Sequence, residues 1–154
     1  CGYLLNETKA CKQAPLCGLK YQKKISGPLL DRIDLFVTVE DISIKDLKKE
    51  STYANSATIR EKVTQTHQLQ FERNKRFNKT KNHSLSAQEV ESLMHFTSAA
   101  RSLLEHAVEK YHFSLRSYYK VLKVARTIAD LECSEVTKDF HLAEALSYRL
   151  HPFE

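Results

Sequence analysis

The sequence predicts a mainly α protein: a four-helix bundle preceded by one extra long helix and a single orphan strand. Three observations carry this. Glycine and proline number three each among 154 residues, too few for the tight turns of a sandwich or barrel. From residue 86 onward, apolar residues recur at helical spacing in four runs, and each run opens on a capping residue. Only residues 33–40 alternate apolar and polar side chains with β-branched enrichment.

The chain is long enough for one domain with a core, or for a domain plus an arm. With 42% hydrophobic and 28% charged residues, it reads as an ordinary water-soluble composition. No run of about 18 apolar residues occurs, so no membrane contact is expected. The opening Cys1-Gly2-Tyr3 shows neither an initiator Met nor a signal pattern. The expectation is a piece of a longer cytoplasmic protein.

Residues 1–24 are expected to form an irregular arm bearing Cys1, Cys11 and Cys17. As thiolates the three could hold zinc, but their irregular spacing fits free thiols equally. The next stretch, Ser26-Gly27-Pro28-Leu29-Leu30-Asp31-Arg32-Ile33-Asp34-Leu35, is the most informative. Gly27 and Pro28 punctuate the backbone, and Leu29 and Leu30 are expected to anchor it by burial. Asp31 is placed to orient Arg32, an always-charged guanidinium at a loop edge that could reach a phosphate on a facing molecule. A structural Arg–Asp pair is the other reading of the same residues.

Residues 33–40 then read as a strand. A lone strand must pair, and none follows, so its sheet is expected upstream. Residues 41–54 form a loop with one helical turn near 44–48. Asn55 or Ser56 caps a long helix running to about Phe77, with Ile59, Val63, His67 and Phe71 on one stripe. That thin stripe predicts a helix laid over another surface.

The net charge of +5 suits an anionic partner only weakly, but its distribution is uneven. Arg73, Lys75, Arg76, Lys79 and Lys81 cluster within nine residues. They are candidate DNA contacts, against the alternative of a solvated surface. Residues 79–83 read as a flexible connector.

The four bundle helices follow. Ser86-Ala87-Gln88-Glu89 is a capping box opening a helix with Val90, Leu93 and Met94. Thr97 starts the next, with Ala100, Leu103, Leu104, Ala107 and Val108, ending near His112. Ser114 caps the third, with Leu115, Tyr118, Leu122, Ala125, Ile128 and Ala129. Thr137 caps the fourth, with Phe140, Leu142, Ala143, Ala145 and Leu146 before Pro152. Short connections predict an antiparallel bundle.

Arg116 stands in the first turn of the third helix, where a cation is poorly matched to the helix dipole. It is either solvated or meets an anion. Arg126 and Asp130 are spaced for an intrahelical ion pair, and Cys133 reads as a free thiol at a helix end. No phosphate loop, nucleophile elbow or His-Glu-x-x-His occurs in the sequence, and nothing in it supports a self-contained active site.

These pieces, in order, resemble a known family. The blocks are Cys-Gly-Tyr, Ser-Gly-Pro-Leu-Leu-Asp-Arg-Ile-Asp-Leu, Leu-Lys-Val-Ala-Arg-Thr-Ile-Ala-Asp-Leu-Glu and His-Leu-Ala-Glu-Ala-Leu-Ser-Tyr-Arg. Together they are similar to the C-terminal region of magnesium-chelatase-like AAA+ ATPases of the bacterial competence-protein type. Residues 41–85 match poorly.

The resemblance implies that Arg32 is the arginine finger acting in trans, with Asp31 orienting it, and that Arg116 is the sensor-2 arginine. It implies ATP and Mg2+ as cofactors of the whole protein, a homo-oligomeric ring (a hexamer), and DNA as substrate. It also implies that residues 33–40 are the last core strand. The division expected is 1–40 as arm and end of the AAA+ core, 41–85 as a basic helical linker, and 86–154 as the lid. This piece alone should bind no cofactor and hydrolyse no ATP. Members often carry two Cys-x-Cys pairs before the SGPLLDR block, a pattern from which Cys11 and Cys17 depart. Rival readings are an ATPase subunit for metal insertion into a tetrapyrrole, and a stand-alone basic DNA-binding module.

Overall fold

The computed structural model describes residues 9–39 and 55–149. Cys1, Glu40, the helical turn near 44–48 and the stop at Pro152 lie outside the described residues. The chain divides into two compact units, residues 1–52 with 150–154, and residues 53–149.

In the first unit, the arm is less irregular than its polar composition suggests. Backbone bonds from Ala14 to the Cys11 carbonyl and from Cys17 to that of Gln13 wind it into helix α1, Leu16–Gln22. A single helical turn, α2, follows at Gly27–Leu30, with Pro28 in its first positions, where the missing N–H costs nothing. The predicted strand is absent from the described residues of its range, 33–39. These residues are not in strand conformation, and Leu35, Val37 and Val39 are exposed. Alternation marks a segment able to join a sheet, but a strand exists only once a neighbour satisfies its backbone groups.

The second unit holds α3 (Ser56–Asn74), α4 (Ala87–Leu93), α5 (Ser98–Tyr111), α6 (Leu115–Leu131) and α7 (Asp139–Ser147). Two 3-10 turns, Lys75–Phe77 and Asn82–Ser84, join α3 to α4. The caps follow the sequence closely. The Asn55, Ser86, Thr97 and Ser114 side chains accept from Ala57, Glu89, Ala100 and Ser117 backbone N–H groups, and Glu89 completes its box.

The start of α7 differs from expectation, because Lys138 is its N-cap residue rather than Thr137. Thr137 is fully buried one residue earlier, where it bridges to the segment before α5. Its N–H donates to the His95 carbonyl, and its own carbonyl accepts from Thr97. The cap's work falls to buried His141, whose Nδ1 accepts the Lys138 N–H at 3.0 Å while Nε2 meets Glu132 at 2.9 Å.

Helix α6 is the hub. It packs against α7, α4 and α3, and α5 packs against α7. Val90, Leu93, Met94, Leu104, Leu122, Ala125, Ile128, Leu142 and Leu146 are buried together, as the periodicity predicts, and Val121 joins them. Leu115 and Phe140 are instead 78% and 48% exposed, and Ala143 is exposed. Leu115 and Phe140 stand at helix starts and Ala143 in the middle of α7, each off the face that its helix buries.

Helix α6 ends on Cys133 in the left-handed region, at φ 54°. Ser134 N–H bonds to the Ala129 carbonyl and Cys133 N–H to that of Asp130, a paired C-terminal closure usually built on glycine.

The long helix α3 departs furthest from its prediction. Ile59, Val63, His67 and Phe71 all face solvent, while Thr66, Gln70 and Asn74, one turn apart, are buried. The side chains that α3 buries against the bundle are polar. The expected flexible connector is likewise anchored, since Asn82 is 2% exposed.

Candidate functional site

Arg32 lies just beyond α2. The Asp31 N–H closes onto the Gly27 carbonyl at 2.9 Å and the Arg32 N–H onto that of Leu29 at 3.0 Å, so the backbone holds a continuous turn up to the arginine. The guanidinium is exposed, and its Nη1 donates to the Pro28 carbonyl at 2.8 Å. The Pro28 carbonyl thus aims Arg32, beside a half-buried Asp31. Leu29 does not anchor the turn by burial, being 52% exposed. A Cβ on Gly27 would meet nothing within 4 Å, so the turn itself does not require glycine there.

Cys11 and Cys17 meet with their sulfurs 3.4 Å apart. The Cys17 contact, then the Gln13 backbone, hold the Cys11 thiol below its ordinary range. No group of three His, Cys, Asp or Glu side chains comes together among the described residues. The zinc expectation is therefore left with two thiols and no third ligand among the described residues, and Cys1 is outside them.

Arg116 is exposed in the first turn of the 17-residue α6 and has no hydrogen-bond or ion-pair partner among the described residues. Next to it, buried Ser117 donates its N–H to Ser114 Oγ and accepts a bond from Arg149 Nη2 at 2.6 Å. A second guanidinium therefore stands at the start of α6, which the sequence reading missed. Only the three-dimensional return of α7's C-terminal end reveals it.

The basic cluster divides. Arg73 turns inward and grips Asp130 with both terminal nitrogens, at 2.5 and 2.8 Å, and reaches Asn82 Oδ1 at 2.8 Å. Asn82 in turn donates to Asp130 and Thr127, and its backbone N–H donates to Gln70 Oε1. From the other side, Arg126 meets Asp130 as the i,i+4 spacing predicts. It also donates to the Ser134 and Glu135 carbonyls, stitching down the loop after α6.

Asp130 is completely buried. Burial by itself would push its carboxyl up. The Arg73 hydrogen bonds, the Arg126 charge and the Asn82 amide outweigh burial and hold the group below the usual carboxylate range. Two cations around one anion leave nothing unsatisfied: among the described residues no buried side-chain nitrogen or oxygen lacks a partner.

The rest of the cluster points outward. Lys75, Arg76 and Lys81 are exposed, Lys79 is half-buried, and Arg76 lies over the Phe77 ring at 4.6 Å. Asn78 takes the left-handed region at φ 56°, turning the chain between the two groups of cations.

The magnesium chelatase subunit ChlI C-terminal family model matches residues 53–149, and the subunit ChlI model matches residues 1–47. The chain belongs to the magnesium chelatase ChlI family. That family is of the AAA+ ATPase type, and the mainly α second unit is of its lid type. Competence protein ComM of Haemophilus influenzae is 36% identical over 132 residues, 85% of this chain and 25% of that protein. YifB of Salmonella typhimurium and YifB of Escherichia coli are 34% and 33% identical, with the same coverage. The chain thus spans a quarter of the length of these relatives. Among the described residues no helix is long and apolar enough to cross a membrane.

Proposed function

We propose that this chain is the arginine-finger and lid portion of a ring-forming AAA+ ATPase that couples ATP hydrolysis to work on DNA. The observation that carries the reading is a pair of exposed guanidiniums on backbones held in place, within a chain of this family. Arg32 is aimed by the Pro28 carbonyl, and Arg116, at a helix start, has no partner among the described residues.

In this reading Arg32 reaches the γ-phosphate held by the neighbouring subunit of a hexameric ring, with Asp31 limiting its orientation. As phosphoryl charge builds, a guanidinium already in place stabilises it without reorganisation. Arg116 contacts nucleotide of its own subunit, where the anion supplies the partner that its helix start lacks. ATP and Mg2+ belong to the whole protein, in the cytoplasm. Residues 1–40 serve as the finger segment, 41–85 as a basic linker presenting Lys75, Arg76, Lys79 and Lys81 to DNA, and 86–154 as the lid. Arg73 is committed to Asp130 and leaves that contact set. Similarity to a competence protein favours DNA over a tetrapyrrole as substrate.

The test is Arg32→Ala in the whole protein. Ring-dependent turnover should fall by about a thousandfold or more while equilibrium ATP binding stays within about twofold of the parent. Unchanged turnover would remove Arg32 from the role.

A further inference from the structure

A groove runs between α3 and the second 3-10 turn, open to solvent on one side, with a volume of about 340 Å³. Val63, His67 and Gln70 line it from α3, Lys81 and His83 from the turn, and Leu131 from α6. We propose that this groove takes one unpaired base of a DNA single strand, the flanking phosphates lying on the cations of its rim. The proposal rests on the DNA part of the reading above and specifies the form of DNA recognised.

Size is the first argument. The volume is at the low end of the roughly 300–1,000 Å³ of small-ligand clefts, enough for a single ring system. Wall chemistry is the second. Val63 and Leu131 supply apolar surface, and exposed imidazoles come from two different elements, His67 from α3 and His83 from the turn. Flat aromatic rings over apolar surface suit the π-face of a base, and only an unpaired base offers that face.

Charge is the third argument. Lys81 is on the lip, and Lys79, Arg76 and Lys75 continue along the chain from it. Asp130, in the adjoining network, is neutralised by Arg73 and Arg126, so it does not repel a phosphate.

Rigidity is the fourth. Asn82 is locked by Gln70, Arg73, Thr127 and Asp130, and Lys123 Nζ pins the His83 carbonyl at 3.0 Å. The residues on either side of Asn82, Lys81 and His83, are therefore both presented outward from a fixed point. A base would meet them already in place, without ordering a loop.

The test uses the full chain with fluorescence anisotropy of a labelled oligothymidine and of a labelled duplex of equal length, across a salt series. The variant His67→Ala/His83→Ala removes two exposed rings and should leave the fold intact. It should weaken oligothymidine binding about fivefold or more and leave duplex binding within about twofold. Lys81→Ala should weaken both probes and lower the salt slope by about one. If the double variant binds oligothymidine as the parent does, or loses both probes equally, the groove proposal is overturned while a DNA-binding basic turn survives. If neither probe binds even at low salt, the DNA reading falls with it.

Discussion

Helix α6 is gripped on two sides by opposite chemistry. Val121, Leu122, Ala125 and Ile128 enter an apolar core, while Thr127 and Asp130 meet Asn82 and the Arg73 of α3, and Arg126 backs Asp130 from its own helix. The apolar side is non-directional: any close-packed set of similar volume would serve. The polar side works only as a complete set, because removing one member leaves a buried charge or amide without its partner. An apolar core supplies cohesion. The polar seam supplies position, fixing where α3 and the turn at Asn82 sit on the lid.

The largest expected effect therefore comes from the centre of the seam. Asp130→Ala leaves the buried Arg126 guanidinium uncompensated and should cost about 3–5 kcal/mol in urea unfolding. Leu122→Ala on the apolar side should cost about 2–5 kcal/mol through its cavity. The totals are similar, and the distribution separates them. Hydrogen exchange should accelerate chiefly in α3 and the Asn82 turn for Asp130→Ala, and across α4 to α7 for Leu122→Ala. Identical exchange maps would erase the distinction between the two sides.

Acid should divide the two sides in the same way. The folded Asp130 carboxyl titrates below its unfolded value of about 3.9. Its contribution to stability is thus fully present above that value and is lost as pH falls through the lower folded one. Below about pH 4, α3 amides should lose protection before those of α5. In Asp130→Asn, already destabilised at neutral pH, that acid dependence should largely vanish. An acid slope unchanged in Asp130→Asn would assign it to other carboxylates.

The contrast also explains what the sequence made legible. The bundle helices could be read because capping boxes are local and an apolar stripe at helical spacing has one simple meaning, burial. Val90, Leu104, Leu122 and Leu142 all follow that rule. Arg126–Asp130 could be read because four residues span one turn. The seam could not. Arg73 and Asp130 are 57 residues apart and Asn82 and Asp130 are 48 apart, and no periodicity links polar residues that only the fold brings together. Of the candidate site, Arg32 and Arg116 were singled out by chain position, whereas Arg149 came to light only through α7's return to Ser117.

The smallest effect tests where that reading failed. Ile59 opens the stripe that periodicity assigned to α3's buried face, yet it is 52% exposed, whereas Gln70, three turns further along nearly the same side of the helix, is 3% exposed. If the stripe were buried, Ile59→Ser would cost the 2 kcal/mol or so of a lost core side chain. On this structure it should change stability by no more than about 0.5 kcal/mol. Gln70→Ala, a substitution that hydropathy alone would call harmless, should cost about 1–3 kcal/mol by stranding the buried Asn82 N–H. Thermal unfolding of the two variants side by side decides it. If Ile59→Ser proved the more damaging, α3 would lie on the bundle by its apolar stripe, and the polar seam would not be what positions it.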